Sequence, residues 1–141
     1  MIVLDTTVLS YAVGIEHPLR EPCRRLLAAH GQGGIEATTT VEVVQEFIHV
    51  RARRRSREDA VGLARAFAAA FSLLAAGPED LELGLTLFQR HPRVGAFDAV
   101  LAGVVLNHRV DALVSADGAF ADIPQLPWID PSTPALERLL G

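Results

Sequence analysis

The chain opens on a short apolar run, Ile2 to Leu4, that stops at one acid, Asp5. Such a run, bounded by a polar turn, predicts a strand buried on both faces. A helix is expected next, from about Thr7 to Val13. Beyond Pro18, Leu19, Cys23, Leu26 and Leu27 recur at helical spacing, and the glycines of GQGG end that helix. Ile35 to Thr39 is rich in β-branched residues and predicts a second strand. Thr40 is placed to cap a helix whose apolar face is Val43, Val44, Phe47, Ile48 and Val50. Ser56, followed by Glu58 and Asp59, marks another start, and an alanine-rich helix runs to about Ala70. Phe71 to Ala75 reads as a short strand, and Pro78 opens a helix that ends near His91 and Pro92. Ala96 to Asn107 is a strongly apolar helix, and Ala112 to Ser115 is a strand. Trp128 and Ile129 read as an edge strand, and Pro134 to Leu140 as a closing helix. Strands alternating with helices imply βαβ units, hence an α/β fold with a parallel sheet covered on both faces.

Composition narrows the class. The 141 residues, half of them hydrophobic, suit a single domain over 1–141 with one sizeable core. No uninterrupted apolar stretch is long enough to span a bilayer, and MIVLDTT lacks the regions of a signal peptide. The expectation is a soluble, cytoplasmic protein without membrane association. Cys23, the single cysteine, is expected to be a buried small hydrophobe. The net charge of −4 argues against a protein that simply coats nucleic acid. Yet Arg51, Arg53, Arg54, Arg55 and Arg57 fall within seven residues, so basic charge is locally dense. That run suits RNA phosphates, and it equally suits a solvated helix end opposing the negative pole of the dipole.

There is no lysine in the chain. Receiver-type signalling domains and haloacid-type phosphatases both need one, and the latter also need a second Asp at the position of Thr7. A P-loop is excluded by the lack of its Gly-Lys signature.

In an open parallel sheet, ligands bind beyond the carboxyl ends of the strands. Asp5 directly follows the first strand, and Asp117 lies two residues after Ser115. Asp98 falls in the first turn of an otherwise apolar helix, where a charge is unfavourable unless paired or metal-bound. Glu46 lies within the helix after the second strand. Singly, each has an ordinary reading as a cap, a turn or a solvated residue. Together at one rim they would repel, and a divalent cation removes that penalty. Oxygen-only ligands favour Mg²⁺ or Mn²⁺ over Zn²⁺, and such an ion suits phosphodiester hydrolysis.

These segments resemble the PIN-domain ribonucleases, and in particular the VapC toxins of toxin–antitoxin pairs. IVLDTTVL resembles the family's opening strand and implies Asp5 as a metal ligand. TTTVEVVQEFIHV resembles the second motif, best matched by Glu46-Phe47, with Glu42 one turn away as the competing residue. VGAFDAVLAGVVL resembles the third, with Asp98 as the central acid. DALVSADGAF resembles the fourth and assigns Ser115, Asp117 and Phe120. The match departs at Gly118 and Ala119, where many members carry a further polar or acidic residue, and Asp122 is not at the matching spacing.

The resemblance implies a three-layer α/β/α sandwich and Mg²⁺-dependent endoribonuclease activity that inhibits translation. Asp5, Glu46, Asp98 and Asp117 would be catalytic, and Asp5, Asp98 and Asp117 would hold metal. It implies a tRNA or rRNA substrate, a VapB-like antitoxin and a homodimer. The alternative is a non-catalytic RNA- or partner-binding module whose acids are only caps and turns.

Thr6 and Ser115 are placed to orient the carboxylates or metal-bound water, and Thr7 to do so or to cap a helix. The five histidines show no metal spacing and read as surface or structural residues. Trp128 reads as packing; Leu9, Val13, Leu19, Leu136, Leu139 and Leu140 read by default as core packing, with a partner-binding surface as the alternative.

Overall fold

The computed structural model describes all 141 residues. Four strands form one parallel sheet in the order β2-β1-β3-β4. They are β1 (Ile2–Leu4), β2 (Ala37–Thr38), β3 (Ala112–Val114) and β4 (Trp128–Ile129). Every residue of β1 and β3 is buried, although neighbours along a strand point to opposite faces. Helices must therefore cover both faces, which makes a three-layer α/β/α sandwich. The helices are α1 (Thr6–Val13), α2 (Arg20–Gly31), α3 (Val41–Arg54), α4 (Arg57–Ala70), α5 (Pro78–Arg90), α6 (Ala96–Asn107) and α7 (Pro134–Leu140). A 3₁₀ turn spans Gly118–Asp122. No helix is long and apolar enough to cross a membrane.

The start signals act as the sequence suggests. The Thr40 hydroxyl accepts from the Val43 N–H at 3.0 Å, and Ser56 accepts from the Asp59 N–H at 3.1 Å. Cys23 is fully buried and burial pushes its thiol up to about 12, as suits an inert packing residue. Leu9 and Leu136 are buried, and Val13, Leu19, Leu139 and Leu140 pack against the same core.

Two expectations are corrected. Phe71 to Ala75 is not a strand: only Leu74 bridges to Thr40. The partner strand has already ended there, because Thr40 has turned to cap α3, so the ladder cannot continue. Thr7 is not a helix cap. Asp5 takes the N-cap position of α1, and Thr7 sits in the first turn with its hydroxyl directed elsewhere.

Helix α6 is held on α5 by close approach. A Cβ on Gly103 would lie 2.5 Å from the Asp80 carbonyl oxygen, and one on Gly84 would lie 2.8 Å from the Val100 Cα. Polar contacts lock the same pair. The buried Asp80 carboxylate accepts from the Gly77 N–H at 2.9 Å, from Asn107 Nδ2 at 2.9 Å and from His108 Nε2 at 3.3 Å. Burial alone would raise the Asp80 pKa, but these donors hold it below the ordinary carboxylate range. Gly103→Ala is expected to lower stability by about 1–3 kcal/mol through forced separation of the two helices. Chemical denaturation reads this, and an unchanged midpoint would show that the contact is loose.

Candidate active site

The chain leaves β1 towards β2 on one side, and β3 lies on the other. The strand order therefore reverses between β1 and β3, which opens a crevice at their carboxyl ends. Asp5 stands there at the end of β1, and Ser115 to Asp117 stand at the end of β3. The rim is pinned by backbone contacts. The Asp5 N–H donates to the Val114 carbonyl at 3.0 Å, and the Thr39 hydroxyl donates to the Leu4 carbonyl at 2.7 Å. The Trp128 indole N–H donates to the Ser115 carbonyl at 2.9 Å, so Trp128 braces the rim as well as packing.

Asp5 is 2% exposed and its carboxylate makes no capping bond to α1. Its Oδ2 accepts from the Ser115 hydroxyl at 2.6 Å and from the Thr7 hydroxyl at 3.2 Å. These hydroxyls are themselves positioned: Ser115 Oγ accepts from the Asp117 N–H and Thr7 Oγ1 from the Ala116 N–H, both at 3.0 Å. Glu46 comes in from the middle of α3, and its Oε2 accepts from the Thr6 hydroxyl at 2.8 Å. Asp98 enters from the first turn of α6 and makes no cap. Carboxylate oxygens of Asp5, Glu46 and Asp98 all lie within 4.8 Å of one another. Asp117 lines the same groove outside that group, and its Oδ1 accepts from the Ala119 N–H at 2.9 Å.

The competing Glu42 goes elsewhere. Its Oε1 accepts from the backbone N–H of Ala76, in the loop before α5, and it is absent from the acid triad. Thr6 and Ser115 are bonded to the acids, as their places in the sequence suggest. Phe120 is buried in the core behind Asp117.

The arginines divide. Arg51 is bonded to Asp59 and donates to the Val13 carbonyl at 3.2 Å, so it serves the joint between α3 and α4. Arg54 alone of the five lines the groove that holds Asp5, Glu46, Asp98 and Asp117. Arg55 lines an adjoining hollow with Arg54, while Arg53 and Arg57 face solvent. Tyr11 and His17 also line the groove, stacked at 4.5 Å between ring centroids. Sequence reasoning missed both, although Tyr11 sits one turn after Thr7 on the same helix face. Among the other histidines, His30 and His108 take structural roles.

A PIN domain family model matches residues 2–126. The chain belongs to the PIN-domain family. It is 51% identical to Ribonuclease VapC7 of Mycobacterium tuberculosis over 143 residues, covering 100% of this chain and 99% of that protein. It is 36% identical over 101 residues to Ribonuclease VapC23 of Mycobacterium tuberculosis, covering 70% of this chain and 78% of the relative. Among solved structures, the Mycobacterium tuberculosis toxin VapC20 aligns with a TM-score of 0.75 over 88% of this chain and 95% of its own. VapBC-1 from nontypeable Haemophilus influenzae aligns with a TM-score of 0.70 over 94% and 100%. At 18% and 17% identity, these two speak for the PIN fold alone.

The donor set suits a hard divalent cation: three carboxylates with no thiolate or imidazole among them. The electrostatics agree. The Asp98 pKa is pushed up to about 8, first by burial, then by the charge of Asp5, and by the Asp117 and Glu46 carboxyls. Burial also raises Asp5, against the lowering effect of the Ser115 hydroxyl. Without a cation, the folded protein therefore retains a proton on Asp98 where the unfolded chain, near 3.8, has lost it. Stability falls as pH rises from the unfolded value through about 8. Asp98→Asn should reduce that slope and raise the melting temperature of the cation-free protein near pH 8. A melting temperature lowered by the substitution at that pH would contradict the cost of holding a buried charge at Asp98 beside Asp5.

Proposed function

We propose that this PIN-domain chain is a divalent-cation-dependent endoribonuclease, the toxin of a VapBC-type pair, which inhibits translation by cutting RNA. The convergence of Asp5, Glu46 and Asp98 within 4.8 Å at the sheet's switch point carries the reading. The 51% identity to a ribonuclease along the whole chain supports it. Asp5, Glu46 and Asp98 would hold Mg²⁺, with Mn²⁺ as a substitute, and Asp117 would join them from the groove wall. Bound there, the cation supplies Lewis acidity and a water of lowered pKa for phosphodiester hydrolysis.

The chain's own groups do the positioning. Ser115 and Thr7 fix the Asp5 carboxylate by donating to one of its oxygens, and Thr6 fixes Glu46. Asp98, whose pKa is raised first by burial and then by the Asp5 charge, would hold the cation as a carboxylate, so binding would be accompanied by loss of its proton. Arg54, on the groove wall, offers a guanidinium to the RNA backbone. The caps-and-turns alternative suits Asp117, which caps the 3₁₀ turn, but not the acids of the triad. Glu46 is mid-helix, and neither Asp5 nor Asp98 makes a side-chain cap bond.

Two partners follow from this reading. Structures of a Klebsiella pneumoniae toxin–antitoxin complex and of VapBC proteins from Rickettsia felis and Haemophilus influenzae align with the chain, which supports a VapB-like antitoxin. A homodimer is supported by Leu81, Leu85 and Phe88, an exposed apolar stripe along α5 at helical spacing. Sedimentation of the free protein at twice the chain mass, reduced to the chain mass by Leu85→Asp, is expected. A monomer at high concentration would contradict it.

The direct test is cleavage of total tRNA and rRNA by purified, antitoxin-free protein. Discrete fragments are expected with Mg²⁺, none with EDTA and none from Asp98→Asn. Arg54→Ala should weaken RNA binding and flatten its salt dependence by about one counterion, whereas Arg53→Ala should change both less. Equal cleavage in EDTA would overturn the assignment.

A further inference from the structure

Beside the acid triad lies a second cavity of about 280 Å³ that shares Glu46 and Asp98 with the groove. Its wall is mostly apolar, built from Val43, Ala76, Leu101 and Val104. Phe97, which directly precedes Asp98, lines it while remaining 73% exposed. The cavity's polar lining is Thr40, Glu42, Glu46 and Asp98, and Glu42 is the carboxylate among them that lies outside the acid triad. Glu42 Oε1 is bonded to the Ala76 N–H, and its other oxygen has no partner.

From this geometry we infer that the cavity is a nucleobase subsite, and that Glu42 selects guanine at the nucleotide flanking the scissile phosphate. The inference rests on the ribonuclease reading. A substrate phosphate at Asp5, Glu46 and Asp98 places an adjoining base within reach of a cavity lined by two of the same residues. An unstacked base needs an apolar slot and an aromatic face, and Phe97 supplies a face to which no core residue is committed. An apolar peptide side chain would fill the slot too, but it would leave the Glu42 carboxylate facing hydrocarbon without a donor.

A carboxylate prefers a pair of adjacent N–H donors. Guanine alone presents two side by side, at N1 and the exocyclic N2. Adenine and cytosine set one amino group beside an acceptor, and uracil flanks its single N–H with carbonyls. The bond to Ala76 holds Glu42 in place and uses one lone pair of Oε1, so both oxygens can still accept from a pair of N–H donors.

The test uses short single-stranded RNAs that differ at one nucleotide, cleaved by the full-length protein with Mg²⁺. Cleavage beside guanine should exceed cleavage beside adenine, cytosine or uracil by about tenfold, the scale of a bidentate base contact. Inosine in place of that guanine, which lacks the N2 amino group, should lose most of the advantage. Glu42→Gln keeps an oxygen for the Ala76 N–H and so preserves the loop, yet it should bring the four bases close to parity. Phe97→Ala, at an exposed position, should raise KM for all four RNAs alike. Efficient cleavage with no base preference, unchanged by either substitution, would overturn the subsite while leaving the ribonuclease reading intact. Loss of RNA binding to Phe97→Ala alone, with a guanine preference that survives Glu42→Gln, would overturn the role of Glu42. Absence of cleavage from every RNA, guanine-containing ones included, would instead count against the ribonuclease reading on which the subsite depends.

Discussion

Mutual repulsion among carboxyl groups in one crevice is the constraint on which the rest of this structure depends. Asp5 is buried, and Asp98 is held near it with a pKa raised to about 8, first by burial and then by the Asp5 charge. Left to themselves, such groups would keep protons or move apart. The surrounding chain prevents the second outcome. Three hydroxyls, from Thr6, Thr7 and Ser115, grip the acids, and backbone N–H groups of Ala116 and Asp117 in turn grip two of those hydroxyls. Repulsion that the fold will not relieve by motion is of the kind a divalent cation would relieve.

The same need explains features remote from the crevice. Asp98 can be held against Asp5 only if α6 is rigidly placed. Its partner α5 meets it at Gly84 and Gly103, where a single added carbon would collide with backbone. The buried Asp80 ties the start of α5 to the end of α6. Glu46 depends likewise on α3, whose start is fixed by Thr40 and whose last turn is fixed by Arg51 against Asp59. Stability is thus concentrated in the joints that aim the acids, while the acids themselves oppose it, as expected of a preorganised site.

Much of this was legible in the sequence where the chemistry is local. Asp5 and Asp117 follow apolar strands, and Asp98 interrupts an apolar helix, so pattern alone placed them at the sheet's rim. The choice between Glu42 and Glu46 was not local. The two lie one turn apart on α3, and what separates them is the Ala76 N–H, delivered by a loop 34 residues on. The arginine run was equally ambiguous. Five similar residues in sequence become one structural brace at Arg51, one groove residue at Arg54 and three others only when Asp59 and the end of α1 are in place. Phe71 to Ala75 was misread because composition reports strand propensity but not whether a neighbouring strand is still running.

On the reading proposed above, Asp5, Glu46 and Asp98 form a cation site within a PIN fold. A crystal structure of the antitoxin-free protein soaked in Mn²⁺, with anomalous data, tests it most directly. An anomalous peak is expected about 2.0–2.6 Å from carboxylate oxygens of these residues, lost in Asp98→Asn. A site without a peak at saturating Mn²⁺, with the three side chains undisturbed, would contradict it.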